Sequence, residues 1–314
     1  MTTLERLENW KNSGSITTEQ YSVLAALVRK DRFSVFLELN ILLYLGVLSF
    51  VAGAGWTVRE YFASLGDIAV VGSLSIVVAL SLWYCFSRTK PYSNLQVESP
   101  TLAFDYILYL GCLMFAVELG YLENQFHILS SQWNYYLIFS AAVYFVFAYR
   151  FDNRFVLTLA LSTLAAWFGV RTSSFEILRL LHVLRTSAMA FAATALVIGG
   201  VPFRAGIKKH FFATHLHIAT NVFLAAMLTG VDSSITWWCF PALLAVSAAA
   251  IWGGIRFRRF AFVAYGVIYG YIAISIRIVD RIPRFETALS YFFASGVIVL
   301  VALILLARRL AREA

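Results

Sequence analysis

The sequence predicts an all-α, polytopic transmembrane helical bundle, and its composition is the first reason. Of its 314 residues, 61% are hydrophobic and only 13% are charged, whereas soluble domains average about 45–50% and about 25%. The mean hydropathy is +0.76. The hydrophobic residues form blocks of about 15–22 residues, which suits a bilayer core about 30 Å thick. A soluble globular protein is therefore excluded.

We expect about ten spans within one transmembrane domain, residues 35–314. The expected spans are 35–56, 67–86, 102–121, 135–150, 154–170, 186–203, 211–230, 235–255, 260–279 and 287–307. The spans before and after the polar turn at 151–153 would be only about 22–24 Å long at 1.5 Å per residue. Residues 135–170 therefore form either two crossings or one re-entrant hairpin.

The distribution of Lys and Arg predicts the orientation of the chain. With these spans, 18 of the 25 basic residues lie in the N-terminal segment, the C-terminal tail and alternate connectors, and 7 lie in the other connectors. Because basic residues favour the cytoplasmic side, both termini of this multi-pass protein are expected in the cytoplasm. The net charge of +8 is thus a topology signal. The expected partner is the lipid bilayer, and no nucleic acid is expected.

Residues 1–34 predict a short cytosolic amphipathic helical hairpin. Leu7 and Trp10 share one helix face, and Thr17 and Gln20 have the spacing of a capping box at the start of a second helix. This hairpin can dock a cytosolic or membrane protein partner. Equally, it can act as a positively charged stop beside the first span.

An internal repeat is a further prediction. Residues 40–56 align without gaps on 105–121, with 7 identities in 17 positions, Tyr44 and Tyr109 among them. Both segments would cross the membrane in the same direction, so the repeat would be a parallel one. Apolar low complexity can produce the same match.

The N-terminal half of the chain resembles a known family. The resemblance is carried by Leu7, Trp10, Gly14, Ile16 and Gln20 in the hairpin, followed by Leu43-Tyr44-Leu45-Gly46 in the first span. This arrangement is similar to DUF2157, a bacterial family of predicted membrane proteins of unknown function. The resemblance implies a bacterial inner membrane and a bundle of helices. It implies no activity and carries over no site residue.

Polar side chains inside a bilayer are costly, so each one in a predicted span is a candidate for function. Glu118 lies within the apolar run 107–119 and is a candidate for substrate binding and for proton relay. Glu38 and Asp105 lie in the first turns of their spans, where a carboxylate meets water and the helix N-terminus. We expect structural roles for these two.

The seventh span is the most polar one. His210, Thr214, His217 and Asn221 lie on one helix face, which we expect to point into the bundle. Thr214, His217 and Asn221 are candidates for substrate binding, and His217 also for proton relay because histidine changes charge near neutral pH. Interhelical hydrogen bonding is the alternative role. No metal site is expected, since no carboxylate or cysteine in this span completes a ligand set.

Two connectors on the expected outer side carry charge. Arg277 and Asp280 are candidates for substrate binding, and their spacing of three predicts a local ion pair. Arg185 belongs to a charged segment that is either an interfacial amphipathic helix or an extension of the sixth span. In the ninth span, Gly266 and Gly270 predict close helix packing.

These residues leave three function classes open. A carrier or permease for a small solute or lipid is favoured, and it predicts that the polar groups converge on one cavity near the midplane. A membrane scaffold or regulatory subunit would instead dock its partner through residues 1–34. An intramembrane enzyme would need His217 and Glu118 as acid and base at one substrate atom. No hydrolytic or ATP-binding motif occurs, so we expect no cofactor, and the two non-enzymatic classes are favoured over the enzyme.

Overall fold

A computed structural model describes residues 3–28, 36–61, 66–170, 177–232 and 236–312. Within these ranges the regular elements are twelve α-helices and one short 3₁₀ turn, without a strand. The helices are α1 (Thr3–Asn12), α2 (Thr18–Val28), α3 (Phe36–Tyr61), α4 (Asp67–Arg88), α5 (Leu102–Phe126), α6 (Tyr135–Phe151), α7 (Arg154–Val170), α8 (Ile177–Arg204), α9 (Phe211–Leu228), α10 (Cys239–Arg256), α11 (Phe260–Val279) and α12 (Phe285–Arg312). The all-helical prediction is confirmed for this part of the chain.

Each of the ten predicted spans coincides with a helix from α3 to α12. Seven of these helices are long and apolar enough to cross a membrane, namely α4, α5 and α8 to α12. Three are shorter apolar helices, namely 41–53 within α3, α6 and α7. The structure thus supports a multi-pass membrane protein with at least seven helices of spanning length.

The N-terminal segment contains the two expected short helices. The backbone N–H of Thr17 donates to Oε1 of Gln20 at 2.9 Å, and the N–H of Gln20 donates to Oγ1 of Thr17 at 3.2 Å. These reciprocal bonds confirm the capping box. Leu7 of α1 and Ala25 of α2 are buried, and the two helices contact each other.

The membrane helices pack mainly as consecutive antiparallel pairs: α4 with α5, α6 with α7, α8 with α9, and α10 with α11. Helix α9 also contacts α7, α10 and α11, so it lies near the centre of the second half of the bundle. Helix α3 packs on α5 and α12 packs on α11. The fold is therefore a row of hairpins with a single helix added at each side.

The hairpin of α6 and α7 extends along most of α5. Nδ2 of Asn153, at the turn of the hairpin, donates to Oδ1 of Asp105 in the first turn of α5 at 2.8 Å. At its other end, Tyr136 lines the same cavity as Glu123. The distance along α5 between these contacts is 18 residues, or about 27 Å. This length favours two crossings over a re-entrant hairpin for residues 135–170.

The connectors gather at the two ends of the bundle. One end, which we call the loop end, holds connectors 89–101, 152–153 and 205–210, and hydrogen bonds join all three. The opposite end holds 127–134, the described part of 229–238, and 280–284. Every second connector from α4 to α9 therefore lies on the same side, as alternating helices require.

Helix α3 runs parallel to α5. The ring of Tyr44 stacks on that of Tyr109 with a centroid distance of 5.6 Å and an interplanar angle of 14°, and it meets Tyr106 edge-on at 5.3 Å. Tyr44 and Tyr109 are equivalent positions of the predicted repeat. The parallel packing agrees with a parallel repeat, while duplication itself stays a prediction.

Two sequence expectations about helix packing are decided by the fold. Helix α8 begins at Ile177 and continues to Arg204, so the charged segment around Arg185 is an extension of the sixth span. A Cβ atom at Gly266 would collide with the carbonyl oxygen of Ser247 in α10. The predicted close approach at this glycine is therefore present.

Candidate functional site

The predicted site residues lie on three different helix pairs. Glu118 of α5 is half-buried, and its carboxylate accepts a hydrogen bond from the hydroxyl of Ser75 in α4. Two helical turns away in α4, Asp67 accepts hydrogen bonds from Tyr121 at 2.9 Å and from Gln125 at 3.0 Å. Glu118 therefore belongs to a polar seam between α4 and α5.

His217 faces α11. Its ring stacks on Phe262 with a centroid distance of 4.4 Å, and Nδ1 lies 3.3 Å from the hydroxyl of Tyr265. Nδ2 of Asn221 donates to the carbonyl oxygen of His217 at 2.9 Å, and Thr214 is half-buried. The hydrogen-bond partners of His217 and Glu118 thus lie on different helices, α11 and α4. Among the described residues, His217 and Glu118 are not joined by a hydrogen bond that could relay a proton.

The stripe of His210, Thr214, His217 and Asn221, which we expect to point into the bundle, is half-buried at all four positions. The fully buried histidine is His215, which lies beside the stripe. Its Nδ1 lies 3.0 Å from the carbonyl oxygen of Phe211. Of the stripe residues, His217 contacts α11 and His210 contacts Asp152 at the loop end.

Arg277 and Asp280 do not form the expected ion pair. The guanidinium carbon of Arg277 lies 5.4 Å from the ring centroid of Phe240 in α10, whereas Asp280 is exposed. Among the described residues, the ion pairs are instead those of Asp152 with Lys208 and with His210. A ring face thus replaces the carboxylate as the neighbour of Arg277.

The sequence prediction missed a buried polar cluster at the loop end. Nζ of Lys208 donates to Oδ2 of Asp152 at 2.8 Å and to the carbonyl oxygen of Leu95 at 3.1 Å. Nε2 of His210 lies 2.5 Å from Oδ1 of Asp152, and the backbone N–H of Val97 donates to Oδ2 at 2.5 Å. We call Asp152, Lys208, His210 and the backbone of 95–97 the connector clasp.

The connector clasp is a structural joint. The side chains of Asp152 and Lys208 are only 2% and 1% exposed, and a buried ion pair needs such complete hydrogen bonding. The space beside them is about 10 Å³, which is at the lower limit for one water molecule. A substrate does not fit there. Two sequence signals could have indicated the connector clasp. Asp152 is a lone carboxylate in a tight turn, and Lys208 lies in a connector on the same predicted side of the membrane.

A second network lies beside the clasp and involves Asp105. Its Oδ1 accepts from Oγ of Ser99 at 2.7 Å and from Nδ2 of Asn153 at 2.8 Å. Oδ1 of Asn153 accepts from the N–H of Val156 at 3.1 Å and so caps the start of α7. These contacts agree with the structural role expected for Asp105.

A cavity with a volume of about 310 Å³ lies between α7, α8 and α9, within the range of small-molecule sites. Its lining is apolar apart from one cation and two hydroxyl groups. The lining residues are Ala165, Phe168, Gly169, Leu184, Arg185, Ser187, Ala188, Phe191, Val222, Ala225, Ala226 and Thr229. Ala225 and Thr229 are exposed, so the cavity opens at the bundle surface. We call it the Arg185 cavity.

Arg185 is held in place by residues near the start of α10. The residue is 7% exposed, and Nη1 donates to Oγ1 of Thr236 at 3.3 Å. Thr236 in turn donates to the carbonyl oxygen of Gly230 at 2.9 Å. A Cβ atom at Gly230 would collide with the guanidinium and would lie 2.6 Å from Sγ of Cys239. Glycine at this position therefore leaves the room that the guanidinium occupies.

Comparison with known proteins agrees with the resemblance at the N-terminus. Residues 8–157 match the model of the family described as predicted membrane protein (DUF2157). The DUF2157 region runs from α1 into the first turn of α7. It contains Glu118, connector 89–101 and Asp152, whereas Lys208 and the Arg185 cavity lie beyond it. No curated protein and no solved structure matches the chain.

Proposed function

We propose that this membrane protein handles an anionic amphiphile, a molecule of the lipid class, as a carrier or permease, and that the Arg185 cavity is its binding site. The observation that carries the proposal is a buried arginine, Arg185, among the lining residues of an apolar cavity. A small solute without an apolar part would gain little from these walls. An amphiphile would place its charged group at Arg185 and its apolar chain against the apolar walls of the cavity.

The shape of the cavity supports a ligand with a charged head and an apolar chain. Arg185 and Thr229 lie towards the opposite end of the bundle, and the lining continues along α9 as far as Val222. The separation of seven positions between Val222 and Thr229 corresponds to about 10 Å along the helix axis. The head would therefore lie near the level of the membrane surface, and the chain would extend towards the midplane.

The electrostatics also favour an anion. Among the described residues, the hydrogen-bond partner of the Arg185 side chain is the neutral hydroxyl of Thr236. A guanidinium carries five N–H donors and binds carboxylate or phosphate through two parallel hydrogen bonds. Removing a cation from water without an anion is costly. A bound carboxylate or phosphate would lower this cost.

Binding is tested by thermal unfolding of the detergent-solubilised protein with oleate, with a single-chain phosphate amphiphile and with neutral monoolein. A ligand at 100 times its Kd adds about 2.7 kcal/mol to the stability. We expect the two anions to raise the Tm and monoolein to leave it unchanged. Ala188→Phe, which fills the cavity, should abolish the rise, whereas Ala190→Phe on the exposed face of the same helix should retain it.

Arg185 is tested in the same assay with two substitutions. Arg185→Lys keeps the charge and should retain part of the anion effect, while Arg185→Gln should remove the difference between oleate and monoolein. Equal stabilisation by oleate in wild type and in Ala188→Phe would overturn the proposed binding site.

The carrier role needs its own experiment. Reconstituted vesicles would contain a fluorescent single-chain carboxylate, and an impermeant quencher would report its movement between leaflets. Wild type and Ala190→Phe should accelerate this movement, and Ala188→Phe should not. Binding without acceleration would refute transport and leave the binding site intact.

We also propose that all ten helices from α3 to α12 cross a bacterial inner membrane, with both termini in the cytoplasm. The alternating order of the helices and the meeting of connectors 89–101, 152–153 and 205–210 support ten crossings. The excess of basic residues supports a cytoplasmic loop end. The family match supports a membrane protein.

A scaffold role through residues 1–34 remains the second candidate. The observation in its favour is that Trp10 of α1 is 53% exposed, and exposed tryptophan is typical of binding hot spots. Co-purification from the native membrane with wild type and with Trp10→Ala tests it. A partner retained equally by both proteins would argue against docking through this face.

A further inference from the structure

A second groove of different shape lies between α10 and α11 at the opposite end of the bundle. It has a volume of about 600 Å³ and is open to the surface. Its lining combines apolar side chains with two arginines: Phe240, Ile274, Arg277, Ile278, Arg281 and Ile282. It shares no lining residue with the Arg185 cavity.

Arg277 is fixed in this groove with donor capacity to spare. Its guanidinium lies over the ring of Phe240, and its Nε is buried without a hydrogen-bond partner among the described residues. Arg281, one turn further along the chain, is exposed. Asp280 is exposed and does not pair with either arginine at ion-pair distance. Two cations thus line the same groove, and neither forms an ion pair with a carboxylate of the described residues.

The charge pattern gives a reason to expect a ligand here. The connectors of the opposite end contain only 7 of the 25 basic residues. Six of these seven lie in the segments 171–185 and 277–284. Arginines on this side oppose the positive-inside preference. An anion bound at these arginines would offset their charge.

We propose that this groove binds the phosphate headgroup of an anionic bilayer lipid. Arg277 and Arg281 would donate hydrogen bonds to the phosphate oxygens, as arginines do in charge-assisted pairs. Ile274 and Ile278 of α11, which line the same groove, would contact the first part of an acyl chain. The groove lies at the end of two helices of spanning length, where headgroups are found.

The test uses the full-length protein in nanodiscs made of phosphatidylcholine with increasing fractions of phosphatidylglycerol. We expect native mass spectrometry to show phosphatidylglycerol retained after gentle release. Arg281→Gln, an exposed substitution that leaves the core unchanged, should weaken the apparent affinity about tenfold. Arg277→Gln with Arg281→Gln should abolish the preference for phosphatidylglycerol over phosphatidylcholine.

A matched control removes the same charge elsewhere. Lys209→Gln with Arg308→Gln neutralises two exposed basic residues of the loop end and should retain the preference. Loss of the preference in this control as well, or no change in the Arg277 and Arg281 variants, would overturn the site. Inorganic phosphate should fail to displace the lipid, and displacement by it at millimolar concentration would show a free-anion site instead.

The outcome is independent of the proposed carrier site. Ala188→Phe fills the Arg185 cavity and should leave retention of phosphatidylglycerol unchanged. A failure of oleate to bind the Arg185 cavity would not contradict the proposal for the groove. A loss of phosphatidylglycerol retention in Ala188→Phe would assign the lipid to the Arg185 cavity and would contradict binding in the groove.

Discussion

At the scale of single residues, Asp152 illustrates how one carboxylate can join parts of the chain that are far apart. It accepts hydrogen bonds from Lys208 and from the N–H of Val97, which are 56 and 55 positions away. Both Asp152 and Lys208 have positive φ angles, 56° and 45°, which cost energy in residues with a Cβ atom. The ion pair compensates for this strain and holds the turn of α6 and α7 against two other connectors.

The clasp leads to a prediction for Asp152→Asn. Asparagine tolerates positive φ, so the substitution removes the charge and leaves the backbone conformation accessible. Lys208 would then be a buried cation without its anion, and the free energy of unfolding should fall by about 3–5 kcal/mol. Denaturant titration of the detergent-solubilised protein measures this loss.

Two further variants complete that test. Glu98→Gln removes an exposed carboxylate from connector 89–101, which contacts Asp152, and should change the stability little. Lys208→Gln added to Asp152→Asn should recover part of the loss, because the unpaired charge is then gone. If the double variant is no more stable than Asp152→Asn alone, the ion pair is not the source of the effect.

At the scale of helices, glycines decide how closely neighbours approach. Gly266 of α11 faces the backbone of Ser247 in α10, and at Gly270 a Cβ atom would be 3.6 Å from the Cβ of Ser247, which is an ordinary contact. The sequence pattern predicted close helix packing at both glycines alike. The structure separates them, because adjacent turns of crossing helices lie at different distances from the partner.

The matched pair Gly266→Ala and Gly270→Ala tests this difference. Gly266→Ala should destabilise the protein by about 1–3 kcal/mol through overpacking. Gly270→Ala should be neutral or stabilising by up to about 1 kcal/mol, since alanine lowers the entropy of the unfolded chain. Thermal unfolding in one detergent compares the two variants. Equal Tm values would mean that α10 and α11 do not cross at Gly266.

At the scale of the whole molecule, the alternation of helices places the connectors on two sides. The loop end contains the clasp, and the opposite end contains the Arg185 cavity and the groove at Arg277. The joint that holds the bundle together and the two proposed anion sites are therefore at different ends. This separation allows ligand binding at one end while the connectors at the other end stay joined.

Single cysteines test the sidedness. The native cysteines Cys85, Cys112 and Cys239 are buried, so wild type serves as the unlabelled background. With an impermeant maleimide added to intact cells, Asp280→Cys should react, while Gln96→Cys and Lys209→Cys should react only after permeabilisation. Reaction of Gln96→Cys and Lys209→Cys from different sides would contradict the alternating arrangement.

The fold class, the approximate position of each helix and the capping box of α2 were predictable from the amino-acid sequence. These features depend on neighbours in the chain: the length of an apolar run, the residues that end it, and side chains three positions apart. The structural role of Asp105 was likewise predictable from its place in the first turn of a span. The family resemblance of the N-terminal half rested on the same local motifs.

The contacts between side chains of different helices became known only from the folded structure. The sequence predicted an inward stripe that includes His217, and the fold leaves this stripe half-buried and buries the adjacent His215 completely. The sequence left Arg185 either in an interfacial helix or in an extension of the sixth span, and the fold encloses its side chain beside Thr236. The physical reason is that lipid and protein interior are both apolar. The hydrophobic pattern of a membrane helix therefore does not tell which face meets the bilayer and which meets another helix. Contacts between helices far apart in the chain supply that information.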